Sequence, residues 1–176
     1  MGRRRMAILV AFLRAVNVGG TGKLPMAELR ALCAAVGFDG VRTYIQSGNV
    51  LFRTTLAPDA ARAALESALR AQFGKPFDIV VRDARDLRDA IRANPFKAAS
   101  PSKVAVLFLD HAPPADVIAT AKGRRDEEIG LGPREVFIHY PSGMGRSRLW
   151  LAGMETGTAR NLNSVTRLAE MAKEDV

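Results

Sequence analysis

The sequence predicts an α+β chain of two ferredoxin-like βαββαβ units, an internal duplication with antiparallel sheets and a C-terminal helix. Three observations predict it. Over the first 84 residues, short apolar runs with strand periodicity alternate with amphipathic helical stretches in the order βαββαβ. Near Lys103 the pattern begins again: Phe108-Leu109-Asp110 parallels Phe12-Leu13-Arg14, and Val136-Phe137-Ile138 parallels Val50-Leu51-Phe52. The length of 176 residues suits two small units, and a chain of this size buries roughly 70% of its unfolded surface without a disulfide or metal. A hydrophobic fraction of 48% and a charged fraction of 25% exclude a disordered chain, a collagen-like chain and a coiled-coil rod.

Each element has its own signal. Met6–Leu13 is nearly continuous in apolar residues and reads as a buried strand bounded by Asn17-Val18-Gly19-Gly20. Pro25 suits the first turn of a helix whose face carries Met26, Leu29, Cys33 and Val36, with Gly37 as its stop. Val41, Thr43 and Ile45 alternate with Arg42, Tyr44 and Gln46; Ser47-Gly48-Asn49 turns the chain, and Val50–Arg53 returns as the second arm of a hairpin. Pro58 opens a helix with Ala61, Leu65, Leu69 and Phe73 on one face and Gly74 at its end. Phe77–Val81 is the closing strand. Asp83 can cap a connecting helix carrying Leu87 and Ile91, which Asn94-Pro95 ends.

The expected division is a first unit over 1–84, a connecting helix and linker over 85–102 ending in Ala98-Ala99-Ser100-Pro101, and a second unit with C-terminal helix over 103–176. In the second unit, Lys103–Asp110 is the first strand and a helix is expected from about Pro114 to Lys122. Gly132-Pro133 marks a hairpin, Gly145–Ala152 a second helix, Thr158–Asn161 a short closing strand and Ser164–Lys173 the last helix, with Leu168 and Met171 inward. The offset between the copies is 96 at Phe12 and Phe108 but 86 at Val50 and Val136, so the second copy has the shorter first helix.

Charge is the unusual bulk property: 26 Lys and Arg against 18 Asp and Glu give a net +8, and Arg outnumbers Lys 20 to 6. With 28 alanines, the arginine bias also fits a GC-rich genome. Residues 1–23 hold five cations and no acid; 146–167 hold four arginines against Glu155; Asp110–Glu135 is acidic on balance. Such a chain attracts nucleic acid, phosphorylated ligands or anionic membrane, or simply carries a solvated basic surface. Cys33 stands alone, so no disulfide or zinc cluster is expected, and a reducing cytoplasm fits. Arg3-Arg4-Arg5 precedes Met6–Leu13, but that run is short, is broken by Arg14 and has no small-residue cleavage site. Neither a secretory leader nor a membrane span is expected, and Met6 is an alternative start.

The sharpest local signal is Asn17-Val18-Gly19-Gly20-Thr21-Gly22-Lys23, a glycine-rich strand-to-helix connection ending in lysine. It can aim backbone N–H groups at an anion, or simply supply positive φ for a turn. A Walker A loop would need Gly at Asn17 and Ser or Thr at Leu24. Gln46-Ser47-Gly48-Asn49 adds amides and a hydroxyl beyond what a turn requires. Ser142–Arg148 is a second glycine-rich basic segment, and Thr158–Ser164 a third polar cluster in which Asn163 or Ser164 can cap the last helix. His111 and His139 have no partners at metal-ligand spacing, so neither metal nor cofactor is expected. Asp83, Asp86 and Asp89, interleaved with arginines, read as a salt-laced helix. The paired aromatics of an RNA-recognition sheet are missing.

Together, Phe12–Gly20, Pro25–Arg30, Thr43–Val50, Gly145-Arg146-Ser147 and Thr158–Asn161 resemble the bacterial family of domain of unknown function 1697. The resemblance implies two ferredoxin-like halves and brings no activity, cofactor or catalytic residue. Leu162 and Ser164 stand where the family pattern has Trp and Thr.

The leading expectation is a cytoplasmic binding module for a small anionic or phosphorylated ligand, a nucleotide being one candidate. Arg14, Lys23, Arg146 and Arg160 would supply charge, Asn17, Gly19 and Gly20 the loop, and Gln46, Ser47, Asn49, Ser147 and Asn161 orienting hydrogen bonds. Sequence-independent nucleic-acid binding through a basic face and a small metal-independent enzyme are the alternatives. No membrane partner is expected, and oligomeric state is left open.

Overall fold

A computed structural model describes residues 5–14, 24–45 and 48–174. It contains two four-stranded antiparallel sheets and four helices, an α+β architecture of two ferredoxin-like units. The first sheet is made by β1 (Ala7–Leu13), β2 (Asp39–Tyr44), β3 (Asn49–Thr54) and β4 (Ile79–Asp83), with helices α1 (Met26–Val36) and α2 (Pro58–Phe73) between them. Helix α3 (Ala84–Ala93) follows, then β5 (Val104–Phe108), β6 (Glu128–Leu131), β7 (Glu135–His139), β8 (Thr158–Asn161) and helix α4 (Leu162–Glu174). One compact unit holds the residues up to Asp86 together with those from Glu170; the other is Leu87–Ala169.

In the first unit the strand order is β2-β3-β1-β4, so β1 is paired on both sides, Phe12 lying opposite Asn49 and Val80. The unbroken apolar run of β1 follows from burial on both faces. Leu9, Ala11 and Leu13 pack with Leu29 and Cys33 of α1 and Leu65 and Leu69 of α2, while Val10 and Phe12 are fully buried on the other face. Phe38 stacks on Phe52 with ring centroids 4.0 Å apart. Helices α1 and α2 stop at Gly37 and Gly74, whose φ of 102° and 69° lie in the left-handed region that ends a helix.

In the second unit the order is β6-β7-β5-β8, the same topology. The crossovers differ. The segment expected to form a helix over 114–122 is a set of turns, with Val117 N–H donating to Pro114 O, Thr120 N–H to Asp116 O and Ala121 N–H to Ile118 O. This mixture of three- and four-residue steps never propagates, and it buries only Val117 into the core with Leu107, Leu109, Val136, Ile138 and Leu151. The helix expected over 145–152 is also absent. After one turn closed by Ser147 N–H on Met144 O the chain extends, and Trp150 and Lys122 exchange backbone hydrogen bonds of 2.8 and 2.9 Å. An extended pairing competes with the helix for the same N–H groups and wins.

The duplication holds at the level of register. Leu13 N–H donates to Gly48 O as Leu109 N–H donates to Arg134 O, both at 2.9 Å. Phe12 faces Asn49 as Phe108 faces Glu135, and Val10 faces Arg82 as Val106 faces Arg160. The offset falls from 96 on the first strands to 86 on the third and 78 on the fourth. The last value pairs Asp83 with Asn161, and both cap the helix that follows: Asp83 Oδ1 accepts from Asp86 N–H at 2.7 Å, Asn161 Oδ1 from Asn163 N–H at 2.8 Å. The cap of α4 is therefore Asn161 and not Asn163 or Ser164, because the helix starts two residues earlier than the polar cluster suggested. The helix α3 buries Leu87 and Ala90 where α4 buries Val165 and Leu168, the same positions at that offset.

Asp83→Ala and Asn161→Ala are each expected to lower stability by about 1 kcal/mol. Asn161→Asp, which keeps the acceptor oxygen, is expected to cost less than Asn161→Ala in the same urea denaturation series.

Candidate functional site

Of the residues nominated from sequence, Asn17, Gly19, Gly20, Lys23, Gln46 and Ser47 lie outside the described residues. Their flanks are described. Arg14 ends β1, and its N–H donates to Asp78 O at 2.9 Å. Its guanidinium lies 3.8 Å from the Asp78 carboxylate, with both side chains partly open to solvent. Asn49 is fully buried and its Nδ2 donates to Tyr44 O at 3.1 Å, closing the β2–β3 hairpin across its own turn. Ile45, at the mouth of that turn, has φ 49°, a left-handed conformation that a β-branched residue adopts only at a cost of roughly 1–3 kcal/mol. Arg14, Asn49, Gly48 and Ile45 thus occupy the end of the first sheet where β1 stops and β3 begins.

Arg146, Ser147, Arg160 and Asn161 belong to the second unit. Arg146 is exposed. The Ser147 hydroxyl donates to Glu127 Oε1 at 2.6 Å and accepts from Leu149 N–H at 3.2 Å. Arg160 sits mid-strand on β8, where its Nη1 donates to Thr158 Oγ1 and, at 3.0 Å, to Ala159 O; burial lowers its pKa to about 10. Asn161 spends its oxygen on the α4 cap and its Nδ2 on Ser102 O at 3.0 Å. Ser147 and Asn161 are therefore occupied by the protein itself, and Asn161 lies opposite Ala105 near the start of β5. In the duplicated frame that is the opposite end of the sheet from the one Arg14 occupies.

A polar cluster around Glu127 is the feature that sequence reasoning missed. Glu127 is buried, and its second oxygen accepts the Arg125 backbone N–H. The Ser147 hydroxyl first, and then the Arg125 N–H, hold its carboxyl below the usual range against the opposing effect of burial. Burial, and then the Glu127 charge, raise the Tyr140 phenol. In sequence Glu127 is one acid of Arg124-Arg125-Asp126-Glu127-Glu128, twenty residues from Ser147, and nothing local marks it as buried. The arrangement pins the segment after β7 to the start of β6; a carboxylate held low is a weak base, so it reads as architecture.

Cys33 is buried in α1, and burial raises its thiol to about 12, which suits core packing and not nucleophilic attack. His139 on β7 has Nδ1 3.0 Å from Glu128 Oε1 and its ring against Phe96. No described helix is long and apolar enough to cross a membrane.

Comparison with known proteins agrees with this architecture. The model of the family described as Protein of unknown function (DUF1697) matches residues 6–137. The structure of the conserved bacterial protein SP0830 from Streptococcus pneumoniae is similar, with a TM-score of 0.79 over 96% of this chain and 99% of that one, at 19% identity. At that identity the likeness is one of fold. No curated protein gives a match.

Ser147→Ala is expected to cost about 1–3 kcal/mol at neutral pH, because a buried carboxylate loses its strongest donor. A carboxyl with a lowered folded pKa contributes stability above its unfolded value of about 4.3, and that stability disappears as pH falls through the folded pKa. The gap between parent and variant should therefore close in acid, as urea titrations across a pH series would show.

Proposed function

The chain belongs to the DUF1697 family of proteins of unknown function, and within that family we propose that it is a binding module for a small anionic or phosphorylated ligand, a nucleotide being one candidate. One observation supports this above the others. The Leu13 N–H···O=C Gly48 bond of 2.9 Å ties the residue preceding Arg14 to the residue following Ser47. The glycine-rich segment that begins after Arg14 and the Gln46-Ser47 pair thus leave the sheet from hydrogen-bonded neighbours.

The chemistry of that end fits an anion. Segment 15–23 carries Gly19, Gly20, Gly22 and Lys23 ahead of helix α1, a composition suited to presenting N–H groups and one cation. The Arg14–Asp78 pair is long and solvated, and an ion pair of that kind is worth about 0–1 kcal/mol. The left-handed Ile45 places strain where the chain leaves β2, next to Gln46 in sequence. In this reading Arg14, Lys23, Gln46, Ser47 and the backbone at Asn17, Gly19 and Gly20 meet the ligand, and Asn49 shapes the turn. We place the protein in the cytoplasm, since its lone cysteine serves as core packing.

A thermal-shift panel of inorganic phosphate, pyrophosphate and nucleotides tests the proposal. A ligand at roughly 100 times its Kd should raise the parent Tm by several degrees. Lys23→Ala and Arg14→Ala should lose most of that rise. No shift with any member of the panel overturns the proposal, and an equal shift in Lys23→Ala removes Lys23 from it.

A further inference from the structure

We propose that segments 122–125 and 146–150 of the second unit form a docking surface for single-stranded nucleic acid, with the Trp150 indole as a stacking platform. Both segments belong to the second unit, and the proposal stands on observations made there. Lys122 and Trp150 are locked together by reciprocal backbone hydrogen bonds of 2.9 and 2.8 Å, and the Lys122 ammonium lies 5.1 Å from the indole centroid. Beside them, Gly123 has φ 66°, and a Cβ there would sit 2.1 Å from Arg148 O. The two segments approach so closely that only glycine fits.

The side chains on this pairing are unusually uniform. Lys122, Arg124, Arg125, Arg146 and Arg148 are all exposed, and Trp150 is 38% exposed. Two carboxylates lie on the same stretch, and both accept hydrogen bonds: Ser142 donates to Asp126, while Ser147 and the Arg125 N–H donate to Glu127. The Arg124 Nε donates to Glu127 O at 2.8 Å, which orients that side chain on the same scaffold. Two segments held together by that pairing thus carry five exposed cations and the chain's single tryptophan.

Cations spaced along two short segments suit phosphates, and an exposed aromatic face suits an unpaired base. A duplex hides its base faces inside the stack and would leave the indole without a partner. An acidic peptide would satisfy the cations and leave the same indole in water. The Lys122 ammonium lies by the ring, and cation–π contact adds to stacking at such sites.

The test is titration of the full chain with a fluorescein-labelled oligothymidylate of about 15 nucleotides at low salt. Trp150 emission should be quenched as the oligonucleotide binds, a signal only this residue can give. Trp150→Ala should weaken binding about tenfold and Trp150→Phe much less, each variant being shown folded by a cooperative thermal melt. Arg146→Ala combined with Arg148→Ala should lower the slope of log K against log salt by about 1–2. Lys23→Ala should bind the oligonucleotide as the parent does. Unchanged Trp150 emission, or equal affinity in Trp150→Ala, overturns the proposal. So does tighter binding of a duplex, of heparin, of polyglutamate or of phosphatidylserine vesicles than of the oligonucleotide, or loss of binding in Lys23→Ala.

Discussion

Each sheet is organised by a central strand that is hydrogen-bonded along both edges and buried on both faces. In β1 the residues from Val10 to Leu13 have no measurable exposure, and in β5 every residue from Val104 to Phe108 is buried. A strand in that position has no room for polar side chains, since a buried group without partners costs more than packing returns. Polar side chains are therefore kept off these two strands and fall on the outer strands, the strand ends and the connections.

The register shows how far two copies of one frame have diverged around that constraint. Arg82 and Arg160 sit at equivalent positions on the outer strands β4 and β8, both largely removed from solvent, and each donates to a neighbouring backbone carbonyl. Asn49 and Glu135 share the next such position and are both buried, but one closes its hairpin by donating an amide hydrogen while the other accepts an N–H from Arg134. The equivalent helices α3 and α4 start from caps of different chemistry and the same geometry. What the copies share is the placement of backbone; what differs is the side-chain chemistry placed on it.

The falling offset changes the surface of each unit. Where the first unit spends its crossovers on α1 and α2, the second has turns and one short extended pairing, Lys122 with Trp150. A helix would have buried one face of each crossover in the core. The turn segments fully bury only Val117 and Leu151 among their large apolar side chains, and leave their cations exposed and the indole partly so. The two units thus offer different surfaces from one topology: a glycine-rich strand-to-helix connection in the first, and a basic aromatic pairing in the second.

The sequence by itself determined the elements whose signals are local. The unbroken run of β1, the stripe Leu29-Cys33, the stripe Ala61-Leu65-Leu69, the strand Thr158–Asn161 and the duplication all follow from spacing, because periodicity and end signals act over a few residues. The helix expected over 145–152 gives way to the backbone pairing of Trp150 with Lys122, residues 28 apart in sequence, and the one expected over 114–122 to turns of mixed step. Separation in sequence also hid the burial of Glu127, whose donor Ser147 is 20 residues away, and the double use of Asn161, whose second partner Ser102 is 59 away. Propensity and pattern are properties of neighbours along the chain. Which hydroxyl faces which carboxylate, and which amide is already spent, is decided only when the strands bring distant residues into register.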